Sequence, residues 1–486
     1  MATSQITPNL PDATPTDLIS KRCGGALDFQ LHRLASCYGD QLHSNETHRK
    51  DVVSRERQEH HFINSTLAPE FLQVAQAIAT LLTPTKGPTN FALMIGYTHG
   101  ETHLFYCRNA GGPPEAARSH LNAIWRLLQQ MRGSQARSAQ IDSSFAPDRL
   151  PAEEKLVMEL REIAYRFVAE KALERSKKRH NSLAALNAFV DASASVPQRR
   201  LVKLMLGVSM SATDVKLAVE SPFKEEPWEL FRDMTAVLYD EKAQTHPDVI
   251  ASLHSAAGNL PDGLAFDFEK CLEKLLKVEA AILTLYGLAV SERRSEIVGK
   301  TLCLHEVEIP GRQATIIKLN NFPQFLSDDS NEYADIVNRM SDQLTPMADG
   351  IAFSSKVHSE VQLVAWVAQN LNQVAPEVNL VPYVTCSKLH CFACFLWLQE
   401  YNKLERPTLP RLAFNGCHGG LQRGWLPPSW ETAYEGEIAQ QMTSRLQTEF
   451  EAKHLSASTT SSGRVKIRAT PSKATLSKVN RFLDSL

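Results

Sequence analysis

His358-Ser359-Glu360 is followed, thirty residues later, by Cys391-Phe392-Ala393-Cys394. No other feature limits the fold as strongly, because two motifs with metal-ligand chemistry have to meet at one point. Cys391 and Cys394 stand three apart at the expected start of a helix, CFACFLWLQEYNK (391–403). Both sulfurs then lie on one side, close enough to share an ion. The positive end of the helix favours thiolates there, and a metal ion favours them further. His358 opens a second expected helix, HSEVQLVAWVAQNLN (358–372), and offers a neutral imidazole nitrogen. These three ligands suit zinc, with the fourth tetrahedral position left to water whose pKa the ion lowers towards ~7. Glu360 is expected to carry protons to and from that water rather than to bind the ion. A second H-x-E, His99-Gly100-Glu101, has no C-x-x-C at a suitable distance and is read as accidental.

Around the motifs the chain alternates. GRQATIIKLNN (311–321), NLVPYVTCS (379–387) and LPRLAFNG (409–416) are strand-like, and helical stretches separate them. Such alternation indicates an α/β structure. Upstream, Phe71, Leu72, Ala75, Ile78, Leu81 and Leu82 recur at helical spacing, as do Leu121, Ile124, Leu127 and Leu128. FALMIGY and HLFYC, separated by THGET, form an expected hairpin around residues 91–107. The length of 486 residues is compatible with roughly three domains or fewer. The expected organisation is a loosely ordered segment over 1–60, a mainly helical region with a short hairpin over 61–290, a zinc domain over 291–455, and a flexible, basic, Ser/Thr-rich tail over 456–486.

The segment from His358 to Trp430 resembles the deaminase-like family found in many fungi, with relatives in intracellular bacteria. That family belongs to the zinc-dependent nucleic-acid and nucleotide deaminase superfamily. The resemblance rests on HSEVQL, on VTCSKLHCFACF, and on FNGCHGG with RGWLPPSW. It implies a C-terminal three-layer α/β/α, cytidine-deaminase-like sheet behind the mainly α-helical N-terminal region. It implies zinc at His358, Cys391 and Cys394, with Glu360 as the catalytic proton shuttle. The implied reaction is hydrolytic deamination of a nucleobase in a nucleoside, nucleotide or nucleic acid, with zinc-activated water as nucleophile. The alternative is a zinc-stabilised interaction or scaffold protein whose deaminase-like domain is inactive. One departure stands out: many superfamily members have proline before the first cysteine, where this chain has His390. His390 is read as a neighbour of the helix cap, since three ligands suffice, and a spare ligand is its other reading.

His418 and Trp425 are the candidate substrate-binding residues. His418 lies in the glycine-rich loop GCHGG, and the competing reading is an ordinary loop histidine. Trp425 and Trp430 flank two prolines and could stack on a base, the competing reading being apolar packing of a loop. Trp366, Trp397 and Cys386 are read as core. Arg175, Lys177, Lys178 and Arg179 are read as a solvated helix face before a phosphate contact. Lys+Arg 52 against Asp+Glu 54 excludes a strongly basic, whole-chain nucleic-acid binder. The longest nearly apolar run, about Ala280 to Val290, is too short for a bilayer, and the N-terminus lacks a secretion signal. The expected setting is the cytoplasm or nucleus, with no membrane partner. A nucleobase-containing substrate, free or polymeric, is expected, and the helical N-terminal region is a surface for protein partners.

Overall fold

Two apolar runs joined by a polar turn, FALMIGY and ETHLFYCR, make the hairpin on which the protein is organised. In the computed structural model they are β1's successors in the chain: β1 is Ser20–Cys23, β2 is Phe91–Tyr97 and β3 is Glu101–Arg108. Phe91 faces Arg108 and Tyr97 faces Thr102 in antiparallel register. The Glu101 N–H donates to Thr98 Oγ1 at 3.0 Å and fixes the turn. Both strands are buried almost throughout, which explains runs of apolar residues rather than a strict alternation. The structure describes residues 20–23, 26–37, 69–83, 90–109, 114–140, 150–218, 225–261, 263–291, 295–310, 313–317, 321, 345–347, 350–387, 390–404, 411–414, 417, 420–421, 424–428 and 433–460.

Helix α1 is Ala26–Cys37 and α2 is Pro69–Leu81. After the hairpin come α3 (Pro114–Gln140), α4 (Leu150–Lys177), α5 (His180–Ser193), α6 (Val196–Ala218), α7 (Glu225–Gln244), α8 (Pro247–Gly258), α9 (Phe268–Val290) and the short α10 (Ser295–Val298). The region expected to be helical is helical, and α9 lies at its centre. Asp267 caps α9 by accepting from the Lys270 N–H at 2.9 Å. In the apolar run 280–290 Ala281, Ile282, Leu285, Leu288 and Ala289 are buried, and α9 packs against α2, α3, α4 and α7. Among the described residues no helix is long and apolar enough to cross a membrane. The buried Glu279 is held by Arg161 Nε at 2.8 Å and by the Tyr165 hydroxyl at 3.4 Å, so its charge is paired within the core.

The C-terminal part contains β4 (Thr301–Val307), β5 (Gln313–Ile317), β6 (Thr345–Met347), β7 (Gly350–Val357), α11 (Ser359–Val374), β8 (Asn379–Leu380), β9 (Tyr383–Cys386), α12 (Phe392–Lys403), β10 (Ala413–Phe414), β11 (Trp425–Leu426) and α13 (Ala433–Thr460). One mixed sheet runs β10–β9–β2–β3–β4, with β8 also on β2. A second runs β1–β5–β7–β11, with β6 also on β7. The hairpin expected inside the helical region is therefore the middle of the sheet that serves the C-terminal motifs. Phe91, Leu93, Ile95, Leu104 and Tyr106 join the helical core on one face of this sheet. Ala92, Met94, Phe105 and Cys107 join a separate core with α11 and α12 on the other.

A boundary at 290/291 thus does not divide the structure. The long helical stretch is inserted between β3 and β4, which pair in parallel. Most of 1–60 lies outside the described residues, but β1 and α1 within it are regular elements. Leu27, Leu31, Leu34 and Ala35 of α1 share a core with Met442, Leu446 and Phe450 of α13. Of the expected tail, 456–460 ends α13 and 461–486 lies outside the described residues.

His120 of α3 gives the helical core a pH dependence. Its ring stacks on Phe167 at 3.8 Å, and Nε2 lies 3.2 Å from the Leu81 carbonyl oxygen. Burial lowers its pKa to about 4. The unfolded chain takes up the proton near pH ~6.5 and the folded one does not. Stability from this group is thus full above pH ~6.5 and is lost as pH falls towards 4. Urea unfolding at pH 7 and pH 5 should show a loss of about 2 kcal/mol that His120→Gln removes, and an unchanged loss in the variant would contradict the assignment.

Candidate metal centre

Each motif residue occupies a helix start. His358 follows β7 directly and is the extended N-cap residue of α11. Cys391 is the N-cap residue of α12, where its sulfur accepts from the Cys394 N–H at 3.5 Å. His358 Nδ1 lies 3.5 Å from Cys391 Sγ and 3.3 Å from Cys394 Sγ. Ligands of a tetrahedral zinc ion with bonds of 2.0–2.3 Å stand about 3.6 Å apart for an N and S pair. The donor set, its spacing and its burial therefore fit a zinc-class cation. His358, Cys391 and Cys394 are 3%, 2% and 0% exposed, so the site is closed on the protein side.

The charges are arranged to the same end. Burial opposes a thiolate at Cys391, but hydrogen bonds from Cys394 and His358 and the imidazole's charge outweigh it and pull its pKa down. Cys394 is pushed up by burial and by its sulfur neighbour. Burial alone would lower His358, and the adjacent Cys391 raises it instead. The trio holds protons between its donors in the place where a divalent cation would take over their role.

Glu360 is buried one residue beyond the N-terminal residue of α11. Its carboxylate accepts from Ser359 Oγ at 3.1 Å and from Asn90 Nδ2 at 3.4 Å, and His390 Nδ1 is 3.6 Å away. Burial would raise its pKa. The close approach of His390 and the fields of His358 and His390 overcome that and hold it well below the usual carboxylate range. Glu360 is thus an ionised base.

The supports come from distant parts of the chain. Asn109, just after β3, accepts from the Ser359 N–H at 2.6 Å and caps α11. Ser387 donates to Asn90 Oδ1 at 2.9 Å and accepts from the Phe91 N–H at 3.1 Å, tying the end of β9 to the start of β2. On the other face Lys277 of α9 donates to the Ser387 carbonyl at 3.2 Å. Gly424, at φ 72, admits the left-handed turn that leads into β11, whose parallel pairing with Lys356 and Val357 sets Trp425 beside the cluster.

The structure brings together five of the six residues singled out from the sequence: His358, Glu360, Cys391, Cys394 and Trp425. Trp425 is 1% exposed and its indole N–H donates to Cys394 Sγ at 3.1 Å, a placement that matches the competing reading of apolar packing and sets the ring beside a sulfur of the cluster. Pairing of β11 with β7 is what draws it inside. His418 and Trp430 lie outside the described residues. His390 faces Glu360 and not the ligand trio, which is more than a helix-cap neighbour does. Cys386 is buried core, with its sulfur 3.7 Å from His390 Nδ1. In the basic run Lys178 and Arg179 are exposed, as on a solvated face, whereas Arg175 is half-buried and burial lowers its pKa. The sequence reading missed Asn90, Asn109 and Ser387. Their only signal was polar residues abutting buried strand ends.

Residues 357–429 match the family model described as "OTT_1508_deam:-like deaminase". The match takes in both motifs, so this segment is deaminase-like. No curated protein and no solved structure matches the chain.

A sulfur that accepts an indole N–H is a weaker electron donor but a better-placed ligand. Trp425→Phe should keep the fold and weaken zinc retention against a chelator by about 10–100-fold. Unchanged retention would show that the hydrogen bond has no part in holding the ligand.

Proposed function

We propose that this protein is a zinc-dependent hydrolytic deaminase acting on a nucleobase in a nucleoside, nucleotide or nucleic acid. One observation carries the reading: donors from two helix starts converge within 3.3–3.5 Å, and the buried carboxylate of Glu360, two residues on from His358, interacts electrostatically with that imidazole. The deaminase-like match over 357–429 supports it independently of the geometry. The helices on both faces of the mixed sheet support a three-layer, cytidine-deaminase-like domain, entered here through a hairpin far upstream.

His358, Cys391 and Cys394 would hold a zinc ion, which would supply a Lewis acid able to lower the pKa of water. Glu360, buried and hydrogen-bonded, would accept the proton from the attacking water. It returns protons to the ring nitrogen and to the departing amine, so water is consumed, a carbonyl replaces the amino group and ammonia leaves. Asn90, Ser359 and His390 keep the carboxylate oriented through both transfers. His358 and the two cysteines differ from Glu360 in role. Losing a ligand removes the ion and part of the folding free energy, whereas losing the carboxylate removes proton transfer alone.

This difference supplies the test. Zinc content and ammonia release are measured for the intact chain and for Glu360→Gln, on cytosine, adenine and guanine as nucleosides, nucleotides and single-stranded nucleic acid. Glu360→Gln should retain the metal and lose activity by about 10²–10⁴-fold. Zinc-loaded protein that releases ammonia from none of these would overturn the enzymatic reading and leave the inactive, zinc-stabilised interaction protein.

A further inference from the structure

We propose a second transition-metal site, made by Glu101, His103 and Cys303 at the opposite end of β3 from His358, which takes a zinc-class divalent cation. Glu101 and His103 are two apart on β3 and so face the same side of the sheet. In the parallel register of β3 and β4, His103 is opposite Cys303 and Phe105 is opposite His305. One potential ligand atom each from Glu101, His103 and Cys303 lies within 4.8 Å of the other two. His103 Nε2 is 3.2 Å from Glu101 Oε2, and about 3.4 Å is expected for N and O ligands on one tetrahedral ion.

His103 supplies the second, independent observation. Its side chain is 7% exposed, and Nε2 is a buried atom without a hydrogen-bond partner, since the contact with Glu101 lacks hydrogen-bond geometry. The other ring nitrogen, Nδ1, is 2.9 Å from His305 Nε2. The His305 ring stacks on Phe105 at 4.6 Å and lies within 8° of parallel to His103. With His103 Nδ1–H donating to His305, Nε2 presents its lone pair to Glu101 and Cys303. A metal-bound histidine is oriented in this way by the partner of its second nitrogen. Glu101 is exposed, which gives the ion a path in.

The site joins the last strand before the helical insertion to the first strand after it. An ion there ties residues 101 and 303 together across α3 to α10 and stabilises the folded pairing of β3 with β4 by mass action. It shares no residue with the trio at His358.

The test uses the full chain, stripped by a chelator and titrated with zinc against a competing chromophoric chelator, with circular dichroism to verify folding. Glu101→Gln, at an exposed position, and Cys303→Ser should each bind one equivalent fewer than the unaltered chain. His305→Ala should keep the equivalent but weaken it about 10–100-fold. The difference of one is read whether or not the His358 centre loads, so failure here is separate from failure there. Equal stoichiometry in the unaltered chain and in both ligand variants would overturn the proposal.

Discussion

The convergence of two helix N-termini is the constraint on which the C-terminal half of this protein depends. Neither helix could hold His358 Nδ1 and two buried sulfurs at 3.3–3.5 Å alone. The imidazole arrives on β7, the sulfurs arrive from β9, and these strands belong to different sheets. What aligns them is a set of short polar contacts at strand ends. Asn109 holds the first turn of α11, Asn90 and Ser387 join β2 to β9, and Phe392 N–H donates to the Gly420 carbonyl at 2.9 Å at the start of α12. A one-residue slip in any of these strands would turn the supporting side chain to the other face.

The same convergence explains the unusual charge content of the interior. Glu360, His358, His390, Cys386, Cys391 and Cys394 are all buried within one region. Isolated, each charge would be costly in that setting. Glu360 accepts from Ser359 and Asn90 beside His390, Cys391 accepts from the Cys394 N–H beside His358, and burial pushes the Cys386 and Cys394 thiols up. His390 is central to this balance. Proline in its place would support the helix start but could not face Glu360.

Much of the site was legible in the sequence, because its chemistry sits in two short motifs and its helices carry a clear period. The stretch 358–372 forms α11, 391–403 forms α12, and the strand 379–387 yields β8 and β9. The hairpin 91–107 was legible as a hairpin, but not as part of the same sheet. Ala92 pairs with Cys386, nearly three hundred residues away, and local pattern carries no information about such a partner. Helix α1 escaped for a different reason. Leu27, Leu31, Leu34 and Ala35 make an apolar stripe, but the polar and charged residues around it dominate the composition of 1–60. The placing of Trp425 was not legible locally, because it follows from the pairing of β11 with β7. The Glu101 cluster was passed over because its ligands come from two strands whose pairing spans the whole helical insertion.

The central claim is that His358, Cys391 and Cys394 hold one zinc ion beside an ionised Glu360. Anomalous diffraction at the zinc edge from crystals of the full chain measures it most directly. The account predicts a peak within about 2.0–2.3 Å of His358 Nδ1 and both sulfurs, with a further position open towards Glu360. A disulfide between Cys391 and Cys394, or a peak coordinated without both sulfurs, would contradict it.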